Sequence, residues 1–319
     1  MQGFKKTRLR TRLLAMVFLA GLISPVFAII GIGAHYGIDL TLKMDNKLME
    51  QTDFSNLKFS LSGLPGFPTG FDAGSVLKGQ EIPIYINRKD WKNTGINFGG
   101  KIYIDVLPFI NALEISTNFG VWQYDGSVLY PSSIKVNSQP TGTKFSDLVD
   151  VQYDTMSVSL KELYPNRFFW GVTQTPYAKL HFDATIRKYI LQAPPIIKTF
   201  KLYGGAGMSV DFATPMLSSH LIEDAIGSTL NDTFNLSQMG QDLFKNDAVT
   251  KKIVDQIINK MMTPHYGCHL DLGAMIKIPM IPLGFYIDGK FIIRFDKMDK
   301  YVDIGGTGFL FNVGAALAF

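Results

Sequence analysis

The chain has 319 residues, of which 46% are hydrophobic, 13% aromatic and 18% charged, with a formal net charge of +4. Five cations, Lys5, Lys6, Arg8, Arg10 and Arg12, stand in the first 28 residues with no acid beside them; the +4 less those five leaves −1, so the rest of the chain lacks the basic patch that nucleic-acid binding needs. One cysteine, Cys268, excludes an internal disulfide, and no metal-ligand spacing, Walker loop, G-x-S-x-G or H-E-x-x-H occurs, so neither cofactor, metal nor enzyme chemistry is expected.

Residues 1–28 read as a cleaved signal peptide: a basic start, the apolar run Leu13 to Ile23, then Val26-Phe27-Ala28 as a small-residue cleavage site. The exported part is then 29–319. It holds no further stretch of about 18 apolar residues, which excludes a helical span after cleavage.

From there the dominant period is two. Gly31 to Met44 sets Ile32, Ala34, Tyr36, Ile38, Leu40 and Leu42 against His35, Asp39, Thr41 and Lys43. A first long connection covers about 45–95. Ile96 to Val106 and Leu113 to Val121 alternate in the same way around a short proline-bearing turn, and a second long connection covers about 125–175. The segments Ala178 to Arg187 and Phe200 to Phe212 follow, then a third long connection at about 213–264. That connection reads as helical, with apolar stripes over Ser219 to Leu230 and Asp247 to Met262. Cys268 to Lys277, Phe285 to Phe295 and Phe309 to Phe319 complete eight alternating segments.

A soluble sandwich also alternates, but it places no demand on segment length or loop order. Here the segments run about 9 to 14 residues, as a tilted strand crossing a bilayer requires, and short turns alternate with loops of roughly fifty residues. The expected fold is all-β: an antiparallel transmembrane barrel of eight strands with a helical extracellular loop. Weak alternation over Phe54 to Leu61 and Val151 to Leu160 leaves ten or twelve strands open.

The final segment, Gly308 to Phe319, is an alternating strand closed by phenylalanine. It resembles the C-terminal signal of bacterial outer-membrane β-barrel proteins, although Leu317 stands where an aromatic is often found. The resemblance implies a Gram-negative outer membrane as location, outer-membrane lipid and the barrel assembly machinery as partners, and Phe319 and Leu317 as assembly-signal residues.

On the inward parity Asp39, Asp105, Glu114, Asp183, Asp211, Asp271, Asp288 and Asp296 face Lys43, Lys101, Lys179, Arg187, Lys201, Lys277, Lys290 and Arg294, eight acids to eight bases. Such equality is what mutual neutralisation in a low-dielectric lumen needs. Glycines on the same parity, among them Gly33, Gly37, Gly205 and Gly273, are expected to make room for the long cations and for strand curvature. An eight-stranded lumen is just wide enough to be filled by its own side chains. The first expectation is therefore a surface anchor whose loops recognise an extracellular protein or glycan, with loop aromatics Tyr85, Trp91, Tyr130, Tyr153, Tyr164, Phe168, Phe169 and Trp170 either recognising it or packing the loops. The alternative is a narrow channel or small-solute uptake protein using the same charges. A minor alternative is an enzyme built on the inward His181 and His269 with Ser209 and Asp211 near the outer rim.

Overall fold

The computed structural model describes residues 30–40, 58–60, 85–105, 111–136, 149–195, 198–218, 221–222, 233–235, 247–259, 264–296 and 306–318. The leader 1–28, Lys43 and Phe319 lie outside them.

Eight antiparallel strands close into a barrel: β1 (Ile30–Asp39), β3 (Tyr85–Ile104), β4 (Ala112–Val136), β6 (Thr175–Ala193), β7 (Phe200–Ala213), β9 (Pro264–Lys277), β10 (Leu283–Arg294) and β11 (Thr307–Ala318). Closure is made by β1 against β11, in register from Gly31↔Ala318 to Asp39↔Leu310, and by β1 against β3, from Ile30↔Ile104 to Tyr36↔Phe98. The remaining ring pairs are neighbours in sequence or flank an inserted loop, so every barrel edge is satisfied. The strand ends Ile104 and Ala112, Ala193 and Phe200, and Lys277 and Leu283 all fall at the end where β1 starts and β11 finishes. At that end Lys198 N–H donates to the Pro194 carbonyl at 2.8 Å, and Ile278 N–H to the Leu283 carbonyl at 2.9 Å.

The other segments of weak alternation do not enter the ring. β5 (Val149–Ser157) pairs with β4 above the barrel, and β2 (Lys58–Ser60) makes a separate two-stranded parallel sheet with β8 (Thr233–Asn235). The expected loop boundaries shift accordingly. β3 already begins at Tyr85 and β4 continues to Val136, so ordered sheet occupies parts of 45–95 and 125–175. Register breaks between Lys89 and Lys92 and between Asn93 and Asn97, with Asp90 and Gly95 at positive φ, bend β3 as it leaves the ring. Of the two expected helices, α2 (Asp247–Asn259) is present; of 219–230 only Leu221 and Ile222 are described, both helical. A single helical turn, α1 (Leu160–Leu163), follows β5.

Side-chain placement follows the parity of the strands, with burial inverted relative to a soluble core. Outward residues are apolar and open, as in Ile115 at 58% and Leu270 at 61% exposure, while inward residues are charged or polar and sealed, as in Glu114 and Lys290 at 0%. Lys188 and Lys198, cations near the end where β1 starts, are exposed.

Candidate functional site: the charged lumen and its cap

The lumen fills from both ends. At its turn-bearing end Tyr103, Tyr203, Met275, Tyr286 and Ala316 form one buried cluster, with Tyr189 packed against it. Three of these rings lie over glycines that face them across a strand pair: Tyr103 over Gly31, Tyr203 over Gly273 and Tyr286 over Gly314. A Cβ on Gly273 would stand 2.6 Å from the Tyr203 ring, so the glycine is the space into which the tyrosine folds. Among the inward glycines expected to make room for long cations, Gly205 does face the stem of Arg187, whereas Gly273 admits a tyrosine instead. Below the aromatic floor, Asp105 accepts from Lys201 at 2.5 Å and lies 3.7 Å from Lys277.

Above the floor, Glu114 is the centre of a buried network. It holds Arg187 through both terminal nitrogens, one at 2.7 Å, with Lys101 at 3.3 Å and Lys290 at 3.5 Å. Arg187 Nε also donates to Asp271 at 2.8 Å, and its guanidinium lies 4.1 Å over the Tyr203 ring. Lys101 donates to Asp288 at 3.1 Å and sits 3.2 Å over the Tyr286 ring. On the far side Asp183 accepts from Lys290 at 2.7 Å, Ser116 at 2.7 Å and Thr185 at 3.0 Å. A neutral branch completes the layer: His35 bridges Tyr286 and Asn118, Asn118 donates to Asn312, and Asn312 donates to Asp288.

Nearer the loop end His181 stands between two carboxylates, its Nδ1 2.7 Å from Asp211 and its Nε2 3.2 Å from Asp183. Asp211 also accepts from Arg294 Nε at 2.6 Å, and Lys179 pairs with Asp39. His269 contacts Thr185 at 2.8 Å. Every inward charge expected from the sequence and described here is thus engaged inside the barrel, with one correction. Asp296 lies past the end of β10, is exposed, and pairs with His265 at 2.9 Å rather than joining the lumen. The hydroxyl of Ser209 finds no hydrogen-bond partner among the described residues, so it does not form the nucleophile–base contact with His181 or His269 that acyl transfer uses.

The rim charges Asp39, Lys179, Asp211 and Arg294 are buried, because the mouth is covered. The cap is built from the risen part of β3 and β4, β5, the segment after β7, and α2. Arg88 donates to the Leu217 carbonyl at 2.5 Å, Leu217 N–H to the Tyr124 hydroxyl at 2.9 Å, and Val158 N–H to the Gly126 carbonyl at 2.8 Å. α2 buries Ile253, Val254 and Ile257 and packs against α1 and β6, and its Asp255 accepts from the Tyr164 hydroxyl at 2.9 Å. Partial burial and that hydrogen bond raise the Tyr164 phenol above its ordinary value.

The loop aromatics divide. Trp91 stacks on Trp122 and Tyr124, Tyr85 meets Tyr153 at 5.8 Å, and Tyr164 meets Phe169 at 6.0 Å, so these pack the cap. Phe168 and Trp170 instead stand 83% and 78% exposed. The Tyr130 side chain lies outside the described residues. The tyrosine floor and the inside of the cap were not singled out from the sequence. The floor does leave a signal, tyrosines on the polar parity that fall opposite glycines once the register is known.

Comparison with family models, with curated proteins and with solved structures returned no match for this chain.

Proposed function

We propose that the chain is a bacterial outer-membrane β-barrel, exported through a cleaved signal peptide, that anchors its cap at the cell surface as a recognition or adhesion surface. The observation that carries this is the inversion of burial: an apolar wall around the whole ring and a sealed charged interior. A soluble protein seldom exposes a contiguous apolar patch beyond about 600 Å². In hydrocarbon the same wall is favourable, and a closed ring leaves no backbone group unpaired. Outer-membrane lipid and the assembly machinery that reads the terminal strand are then its partners, and the cap, with exposed Phe168 on the adjoining segment 158–174, is the face offered to an extracellular protein or glycan.

The lumen supports the anchor over the channel. A conducting pore needs a continuous aqueous path, whereas here a tyrosine floor, a layer of mutually paired charges and a cap lie in series along the axis. The enzyme reading gains little, since His181 is fully buried between carboxylates and Ser209 is not aimed at it by a hydrogen bond. In vesicles of phosphatidylethanolamine and phosphatidylglycerol the refolded chain should resist alkaline carbonate extraction and migrate faster unheated than heated on a denaturing gel. Release into the carbonate supernatant would refute the membrane reading.

A further inference from the structure

On the outer wall of β3, β4 and β6, at the loop end, a cleft of about 450 Å³ lies between the barrel and the segment 158–174. Resting on the membrane reading, we propose that this cleft binds one acyl chain of a lipid with an anionic headgroup. Its barrel side is Phe98, Phe119, Val121 and Ala178, all on the outward parity, and its cover includes Leu160 and Trp170. Val121 is only 8% exposed although it faces outward, while Phe98 on the same wall is 57% exposed. The cover therefore closes the upper part of the cleft and leaves it continuous with the open apolar wall.

That continuity selects the occupant. A ligand entering along the wall comes from hydrocarbon, and the lining offers a polar ligand almost nothing. The one hydroxyl present, Thr214, already accepts from Ala178 N–H at 2.9 Å and donates to the Ala178 carbonyl at 3.4 Å. A polar group buried there would lose its water without gaining a partner. An acyl chain incurs no such cost and removes apolar area from contact with the headgroup region.

The covering segment carries a net positive charge suited to an anionic headgroup, two cations, Lys161 and Arg167, against one acid, Glu162. Lys161 and Arg167 are exposed on that segment, and the Arg167 guanidinium is held 5.1 Å over the Tyr164 ring. Trp170 has φ +55, a left-handed conformation that a bulky side chain rarely adopts, followed by Gly171 at φ +85. The strained turn holds an indole that both lines the cleft and stands open to its surroundings, the amphipathic placement that tryptophan takes at a membrane–water boundary.

The test uses the full chain in vesicles of phosphatidylethanolamine and phosphatidylglycerol, followed by extraction into mild detergent and native mass spectrometry. Ala178→Trp fills the cleft, Val172→Asp places a carboxylate in it without altering a barrel strand, and Lys161→Ala with Arg167→Ala removes the cations. Wild type should retain phosphatidylglycerol, the cleft variants about tenfold less, and the cation variant less phosphatidylglycerol with no change in its retention of phosphatidylethanolamine. Equal retention by wild type and both cleft variants, or none by wild type, in chains that all float with vesicles, would overturn the cleft while leaving the membrane reading intact. A cation variant that behaves as wild type would overturn the anionic-headgroup assignment. Failure of wild type to float would overturn both readings together.

Discussion

Replacing Glu114 by Gln tests whether the lumen is dry. The carboxylate is 0% exposed and shared by Arg187, Lys101 and Lys290. Glutamine keeps the shape and can still accept from Arg187, but the cluster gains one unbalanced positive charge. Each cation retains another acid, Asp271 for Arg187, Asp288 for Lys101 and Asp183 for Lys290. The cost should therefore fall below the full penalty of a stranded buried charge, at about 2 to 4 kcal/mol. Adding Lys101→Met restores neutrality, so the double variant should be more stable than the sum of the singles predicts by about 1 to 3 kcal/mol. Asp296→Asn, at the exposed pair with His265, is the control and should cost less than about 1 kcal/mol. Urea unfolding in phospholipid vesicles, followed by tryptophan fluorescence, reads all four. A Glu114→Gln variant within about 0.5 kcal/mol of wild type, additive with Lys101→Met, would mean that water already solvates the network, and the reasoning would fail.

Two further perturbations address assembly and the floor. Removing Phe319, or replacing it by Asp, should leave export intact but sharply lower the yield of heat-modifiable barrel, because β11 must pair with β1 to close the ring and unpaired backbone in lipid costs several kcal/mol per group; a normal yield would sink the signal assignment. Gly273→Ala should destabilise by about 1 to 3 kcal/mol by displacing the Tyr203 ring, and Tyr203→Leu should recover part of that loss; an Ala variant as stable as wild type by urea titration would show that the ring does not need the space.

Parity made most of this structure readable in advance, because in a strand the side chain of each residue is assigned a face by its position alone. Asp39, Glu114, Asp183, Arg187 and Lys290 could be assigned to the interior from local sequence, without knowledge of what each would touch. Their partners could not, since Lys290 reaching Asp183 depends on register and on barrel closure. The rise of β3 above the ring was hidden for a different reason. Lys89, Asp90, Lys92 and Asn93 sit at two register breaks, where the bulged backbone interrupts alternation. Val121 shows the limit from the other side: parity assigns it to the outer wall of the barrel correctly, but only the tertiary course of 158–174 reveals that a cover lies across it. The cap's interior keeps the strand period in part, with Ile86 and Arg88 on β3 and Trp122, Tyr124 and Val128 on β4 buried on one parity, but the closure of Arg88 on Leu217 depends on the tertiary course of the segment after β7.

Planar-bilayer recording tests the sealed-anchor account most directly. The assembled wild-type barrel should give no steady conductance, and it should stay silent when 223–246 is replaced by a short glycine-serine linker, since the tyrosine floor and the Glu114 network still fill the lumen. A steady ohmic conductance in wild type, abolished by Lys101→Met or Asp288→Asn, would contradict the account and make the same charges the lining of a pore.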